Sequence, residues 1–147
     1  MPADKLRKVQ INLVGIQAPP DEEASRVELY TEGVYEQEGE IRRLLYEESL
    51  ISNFWGTRSI LEVQAGQVQL MHRGVFHNDY VFELGRHYDC YYRSPIGMTE
   101  MTVRTTVLEA DLRPEGGHVD ICYDLEMEGT LMSVNELHIR YEQEKKG

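Results

Sequence analysis

The stretch from Thr57 to Arg73 constrains the fold most, because polar and apolar residues alternate along it on both sides of Ala65-Gly66. A period of two is typical of a β-strand with one buried face, and glycine in a two-residue loop supplies the positive φ that a tight hairpin turn requires. The sequence therefore predicts a β-hairpin at this point. Its core-facing pairs are Val63 with Val68, Leu61 with Leu70, and Ser59 with His72. The pairs on its opposite face are Glu62 with Gln69, Ile60 with Met71, and Arg58 with Arg73.

Segments with the same alternation recur along the chain, separated by short clusters rich in Gly, Pro, Asp and Glu. They lie at 6–17, 27–35, 41–48, 80–92, 98–112, 119–127 and 132–141. Successive segments are joined by turns of about two to five residues, which makes neighbours in sequence neighbours in space. The fold class predicted is all-β, a single closed antiparallel up-and-down β-barrel of about eight to ten strands, since closure removes the exposed edges of a flat meander.

The length of 147 residues is that of one domain, so we expect a single barrel domain over residues 1–147. Its core is predicted at roughly residues 6–142, with frayed termini. The segment Ser49–Gly56 holds the only Trp and breaks the alternation. At most one short helical turn is predicted there, ended by Gly56.

Several local features of the strands are also predicted. The apolar phase shifts around Gly15, which indicates a bulge or bend. In the last strand Met132 and Val134 are expected to face the core, and a bulge near Asn135-Glu136 would bring the apolar residues that follow onto the same face. The segment 98–112 is either one bent strand or two short ones, and the inward face of the hairpin at 80–92 is open between two alternatives.

Charge and apolar content exclude several classes of protein. The net charge of −11 repels phosphate backbones, so nucleic acid is not an expected partner. No apolar run approaches the roughly 20 residues that span a bilayer, and the N-terminal region has no signal-peptide pattern. A cytoplasmic protein without membrane contact is expected. Cys90 and Cys122 are too far apart for a C-x-x-C motif and are predicted to be reduced thiols rather than a disulfide.

Five short motifs, in this order, are similar to those of a known family: Thr31-Glu32-Gly33, Tyr46-Glu47-Glu48-Ser49, Gly56-Thr57, Ser94-Pro95-Ile96-Gly97 and Tyr123-Asp124-Leu125-Glu126. The chain resembles the YwiB-like family of small bacterial proteins of unknown function over roughly Val9 to Tyr141. The resemblance implies a calycin-type, lipocalin-like barrel and no particular activity. Lipocalins carry Gly-x-Trp on the first strand, whereas Trp55 lies a third of the way along this chain, so no lipocalin ligand is inherited.

Candidate site residues come from the hairpin and the segment before it. Glu48 lies inside the barrel if it shares the face of Leu44 and Tyr46, whereas its neighbour Glu47 then points outward. With the inward Ser59 and His72, Glu48 forms the predicted ligand-binding set. No catalytic residue is assigned.

Arg58 opposite Arg73 is unusual, because like charges directly opposed on neighbouring strands destabilise the pair by up to about 1 kcal/mol. Pairing with surface carboxylates such as Glu62 would compensate, and an anion-contact site formed by the two arginines is the alternative. The five histidines lack metal-binding spacings such as H-x-H or HExxH, and no nucleotide-binding or nucleophile-elbow motif occurs. The sequence therefore predicts no metal and no cofactor.

Three functions remain open. The leading hypothesis is a non-enzymatic binding barrel for an unknown small ligand in the barrel mouth. The second is an acidic protein-interaction or regulatory module, whose wet face carries Asp120, Asp124 and Glu126, with a homodimer as a related possibility. The third is an enzyme that uses acid-base chemistry at Glu48 and His72, with Arg58 as substrate anchor. The predicted hairpin places Arg58 on the outer face and His72 on the inner one, which argues against this third function.

Overall fold

The computed structural model describes residues 6–47, 58–73, 77–94 and 97–144. All the regular structure in these ranges is strand. The strands are β1 (Arg7–Ala18), β2 (Ser25–Glu38), β3 (Ile41–Glu47), β4 (Arg58–Gln64), β5 (Gln67–Arg73), β6 (His77–Phe82), β7 (His87–Ser94), β8 (Gly97–Arg113), β9 (Gly116–Met127) and β10 (Thr130–Gln143). The same residues contain no helix that could span a membrane.

Each strand pairs antiparallel with the next one in sequence, and β1 pairs with β10 to close the barrel. The closing ladder extends from Val9 opposite Gln143 to Ala18 opposite Val134. Closure gives every strand two neighbours, which satisfies the backbone groups that an open sheet would leave at its edges. The prediction of an all-β, up-and-down barrel is confirmed. The predicted helical turn at Ser49–Gly56 lies outside the described residues.

The hairpin that anchors the sequence analysis has the predicted register. β4 and β5 pair Val63 with Val68 and Ser59 with His72, and Gly66 adopts a φ of 72°. A residue with a side chain is strained at such a φ, so glycine suits this turn.

The core consists of the inward side chains of all ten strands. The largest fully buried ones are Tyr35, Phe82, Ile11, Leu44, Leu61, Leu112, Ile121 and Ile139. Since successive side chains of a strand point to opposite faces, these positions also fix which residues of each strand point outward.

The bulge predicted at Gly15 is wrong. β1 pairs with β2 and with β10 in continuous register through this point. Val14 and Ile16 therefore lie on the outer face, where each is half-buried. Val14 lies between Glu28 and His138 in the ladder, and the carbon stems of such long polar side chains can cover an outward apolar residue.

The predicted inward face of β10 is also wrong in its first half. Met132 and Val134 point outward and are 43% and 45% exposed, whereas Ser133 and Asn135 are buried. The register shift lies between Leu131 and Ser133, not at Asn135-Glu136. Polar residues are tolerated inside because Ser133 and Asn135 hydrogen-bond to each other.

Two alternatives left open by the sequence are resolved. The segment 98–112 belongs to one long strand, β8, with a register shift between Thr105 and Val107. In the hairpin at 80–92, Phe82 and Cys90 are buried and Tyr91 is exposed. β6 and β7 pair at only two positions within the described ranges, fewer than any other two neighbouring strands there.

The close contact between β8 and β9 at Gly117 gives a stability prediction. A Cβ on Gly117 would overlap the carbonyl oxygen of Asp111 and lie 3.0 Å from the Tyr141 ring, whereas a Cβ on Gly15 meets nothing within 4 Å. Gly117→Ala should lower the free energy of unfolding by about 1–3 kcal/mol, since the backbone must shift to make room. Gly15→Ala should change it by less than about 1 kcal/mol. Urea unfolding of the two variants measures the difference, and equal losses would contradict the close packing at Gly117.

Candidate functional site

One end of the barrel is closed by two tyrosines and is termed the tyrosine end. The rings of Tyr35 and Tyr141 stack with centroids 6.1 Å apart. The Tyr141 hydroxyl donates to the carbonyl of Arg113 at 2.6 Å, and Arg42 Nη1 donates to the carbonyl of Leu112 at 2.9 Å. Burial raises the pKa of both tyrosines, so both hydroxyls stay protonated at neutral pH. These contacts fill the tyrosine end with hydrogen-bonded side chains.

The opposite end, termed the mouth, is less completely packed. Along β5 the inward Val68 is 1% exposed near the tyrosine end, whereas His72, closest to the mouth, is only partly buried. Along β9 Ile121 is fully buried, but Tyr123 and Met127 are partly exposed although they share its face. Solvent therefore reaches inward-facing side chains from the mouth.

A cavity of about 400 Å³ lies between β2 and β3 near the mouth. β3 pairs with β2 only from Tyr46 opposite Gly33 to Ile41 opposite Glu38, whereas β2 extends alongside β1 as far as Ser25. Within the described ranges the part of β2 before Gly33 thus has no partner on this side, and the cavity opens along it. The lining residues are Leu29, Thr31, Glu32, Gly33, Val34, Leu45, Tyr46, Glu47 and Arg58.

The cavity has an apolar floor and a charged rim. Leu29 and Tyr46 are 4% and 3% exposed and belong to the core. Gly33 lets the strands approach closely, since a Cβ there would lie 2.5 Å from both Ile11 Cδ1 and the carbonyl oxygen of Leu45. Glu47 and Arg58 are exposed at the rim and form an ion pair of 3.9 Å. Such a site suits a molecule with an apolar body and a polar end.

Two of the predicted ligand-binding residues, Ser59 and His72, lie on the inner face of the neighbouring hairpin and are not among the residues that line this cavity. Ser59 is fully buried and lies between Tyr46 and His72 in the ladder. Its Oγ has no hydrogen-bond partner among the described protein groups. The His72 ring contacts Tyr80 edge-on, with centroids 6.2 Å apart. The third predicted residue, Glu48, lies outside the described residues.

The opposed arginines are compensated by carboxylates on the flanking strands. Arg58 pairs with Glu47, and Arg73 forms an ion pair of 2.5 Å with Asp79. Charges of opposite sign thus flank the two guanidinium groups across four neighbouring strands, which offsets the like-charge repulsion. The carboxylate proposed from sequence, Glu62, pairs with Arg43 instead. Arg58 and Arg73 point outward, so they do not converge with Ser59 and His72.

A buried polar pair on the opposite wall was missed by the sequence analysis. Ser133 and Asn135 exchange side-chain hydrogen bonds at 3.3 and 3.0 Å. Asn135 and Thr105 flank Tyr123 in the ladder, and Thr105 Oγ1 is buried without a partner in the described part of the chain. The spacing to Ile139 could have revealed this pair. Ser133 and Asn135 lie an even number of residues before Ile139, so in a regular strand their side chains point inward as Ile139 does.

The inner wall also carries aromatic rings and a thiol that stay neutral. Phe82 and Tyr123 pack with centroids 4.9 Å apart, and burial raises the pKa of Tyr123 to about 12. Burial likewise raises the pKa of the Cys90 thiol to about 11. A thiol with so high a pKa is almost entirely protonated at pH 7, which makes it a poor nucleophile. Cys90 is therefore not a candidate nucleophile at neutral pH.

The fold and the cavity at the mouth define the class of protein. It is a ten-stranded antiparallel barrel that is packed at the tyrosine end and has a cavity at the mouth. The chain belongs to the family described as a domain of unknown function, DUF1934, whose model matches residues 11–139. The YwiB-like resemblance seen in the sequence is confirmed.

A solved structure agrees with this assignment. The crystal structure of ywiB protein from Bacillus subtilis has a TM-score of 0.85 to this chain at 21% sequence identity, and the alignment covers 95% of this chain and 94% of that one. At this identity the likeness shows the fold. No curated protein matches the sequence.

Two fully buried serines on the inner face should respond differently to mutation. Ser59→Ala should leave the free energy of unfolding unchanged or raise it by up to about 1 kcal/mol, because it removes a buried hydroxyl without a protein partner. Ser133→Ala should lower it by about 1–2 kcal/mol, because the Asn135 side chain loses both hydrogen bonds to the Ser133 hydroxyl and keeps only the longer one, at 3.4 Å, to the Ser133 carbonyl. Urea denaturation with a common m value compares the two. An equal loss in both variants would show that Ser59 Oγ has a partner in solution.

Proposed function

We propose that the protein is a non-enzymatic binding barrel that holds a small ligand in the cavity between β2 and β3 at the mouth. The observation that supports this proposal is the cavity of about 400 Å³, which lies beside the last described pair of the β2–β3 ladder, Gly33 opposite Tyr46. Pockets that hold small molecules have volumes of about 300–1,000 Å³, predominantly apolar walls and a few polar groups.

The chemistry of the lining suggests the kind of ligand. The apolar body of the ligand would pack on Leu29 and Tyr46, while its polar end would lie at the rim beside Glu47 and Arg58. Arg58 is 66% exposed in its side chain and pairs with Glu47 only at 3.9 Å, so its guanidinium can exchange that partner for an acidic or hydrogen-bond-accepting group at little cost. A small amphipathic molecule with an acceptor group at one end fits best.

The enzyme hypothesis has less support from the described residues. His72 and Ser59 point inward, whereas Arg58 lies on the outer face of the same hairpin. An acid-base site requires its groups to converge within hydrogen-bond reach of one substrate atom.

The acidic interaction hypothesis is weakened by local pairing of its charges. Asp120 pairs with Arg140 at 3.0 Å, and Glu126 pairs with Arg104 at 3.3 Å. These cations reduce the negative potential of the β9 face, which would steer a basic partner less than the sequence alone suggests.

Native mass spectrometry of protein purified without added ligand tests the proposal, with a matched pair of variants. Thr31 lines the cavity, whereas Thr106 is exposed on β8. Thr31→Trp should fill the cavity and abolish any co-purified adduct. Thr106→Trp should retain the adduct seen in the wild-type protein.

Titration with the fluorescent probe 1-anilinonaphthalene-8-sulfonate extends the test to protein that carries no adduct. The probe should bind the wild type and Thr106→Trp with equal affinity, and Thr31→Trp at least about tenfold more weakly. Circular dichroism confirms that both variants are folded. Unchanged probe affinity in a folded Thr31→Trp would refute the cavity as the binding site.

A further inference from the structure

A cluster on the outer face of β8 and β9 lies apart from the mouth and brings together two carboxylates and an imidazole. It consists of Glu109, His118 and Asp120, whose ligand-capable atoms all lie within 4.8 Å of one another. Glu109 lies directly opposite Asp120 in the β8–β9 ladder, and His118 precedes Asp120 by two residues on the same outward face of β9. We infer that these three side chains form a binding site for one divalent transition-metal ion of the Zn²⁺ type.

The ligand types favour such an ion over Mg²⁺ or Ca²⁺. Imidazole nitrogen is a preferred ligand of Zn²⁺, whereas Mg²⁺ and Ca²⁺ prefer oxygen ligands throughout. Three protein ligands with water in the fourth position are a common arrangement for Zn²⁺. His118 Nε2 lies 4.0 Å from Asp120 Oδ2. A tetrahedral ion requires ligand atoms about 3.3 Å apart, so modest side-chain rotations complete the site.

Asp120 is positioned for this role by its other oxygen. Asp120 Oδ1 accepts from Arg140 Nη1 at 3.0 Å and lies 2.7 Å from His138 Nδ1. These contacts fix the carboxylate plane and leave Oδ2 directed toward His118. Hydrogen-bond partners of a metal-binding side chain orient it, and mutating them commonly lowers metal affinity by about 10- to 100-fold.

The same contacts limit the affinity. The Arg140 guanidinium places a positive charge close to the proposed ion, while Glu109 and Asp120 supply two negative charges as ligands. His138 also contacts Glu136, at 3.0 Å, so both of its ring nitrogens already have carboxylate partners. The net local charge remains favourable for a dication, and a micromolar rather than nanomolar site is expected.

Sequence spacing does not indicate this cluster. The metal-binding spacings considered in the sequence join two histidines, whereas the ligands here are one histidine and two carboxylates. The third ligand, Glu109, comes from the neighbouring strand, and its register depends on the shift between Thr105 and Val107.

Isothermal titration calorimetry of chelator-treated protein with Zn²⁺ tests the inference. One ion per chain should bind with a Kd below about 100 μM. His118→Ala and Glu109→Gln should each weaken binding at least about tenfold. The matched control is His87→Ala, which removes an exposed histidine on β7 and should leave the affinity unchanged. Mg²⁺ and Ca²⁺ should not compete at millimolar concentration.

Cobalt substitution gives a second readout and excludes a thiolate site. Cys122 shares the outward face of β9 with Asp120, so Cys122→Ser is included as a further control. Co²⁺ in the proposed site should show visible d–d bands without a thiolate charge-transfer band. Absence of stoichiometric Zn²⁺ binding, unchanged affinity in His118→Ala, or an equal loss in His87→Ala or Cys122→Ser would each overturn the inference. Thermal unfolding without metal confirms that the variants are folded.

Discussion

The pairing of β1 with β10 is the constraint on which the rest of the structure depends. Without this ladder the ten strands would form an open meander with two long unpaired edges, and its inner face would have no opposite wall to pack against. The ladder places Ile11 opposite Tyr141 and Leu13 opposite Ile139. These four side chains are nearly fully buried, so the contact that closes the barrel also forms part of its core.

The extent of the described ladders shows where the barrel is packed and where it has space. Within the described ranges β3 to β6 cover 6 or 7 residues, whereas β8 has 17 residues and β2 and β10 have 14 each. The cavity at the mouth lies beyond the last described pair of the β2–β3 ladder, Gly33 opposite Tyr46. At the tyrosine end, Tyr35 and Tyr141 fill the equivalent space.

The sequence predicted those parts of the fold in which one physical signal determined every position. In the β4–β5 hairpin the period of two, the glycine in the turn and the short loop all specify the same register, and that register is observed. In β10 two signals disagreed. Hydrophobicity predicted that Met132 and Val134 point inward, whereas the regular alternation of the strand places Ser133 and Asn135 inward, as observed. Strand parity prevailed over hydrophobicity there, since the polar pair satisfies its own hydrogen bonds.

The candidate site was less predictable, because it depends on distances between strands. Sequence parity placed Ser59 and His72 on the inner face correctly, yet it contained no information on where between β2 and β3 a cavity lies. Leu29 and Thr31 were therefore not recognised as cavity residues. The cluster at Glu109 depends in the same way on a register shift in β8 that no local residue pattern indicates.

Two groups of carboxylates on the outer surface show how the chain distributes its excess of negative charge. Arg43 forms ion pairs with three carboxylates, those of Glu36, Glu38 and Glu62. The chain thus supplies a cation at the centre of the first group. In the second group Arg140 Nη1 lies 3.0 Å from Asp120 Oδ1 and also donates to the carbonyl of Ile139, while Arg113, on the same strand as Glu109, pairs with Asp111. His138 Nδ1 also contacts Asp120 Oδ1, at 2.7 Å, so Arg140 and His138 offset part of the Asp120 charge, whereas Glu109 has no ion pair with a lysine or arginine among the described residues. The two groups therefore differ in electrostatic character, because Arg43 lies among all three carboxylates of the first group, whereas in the second group the described cations contact Asp120 and leave Glu109 without such a partner.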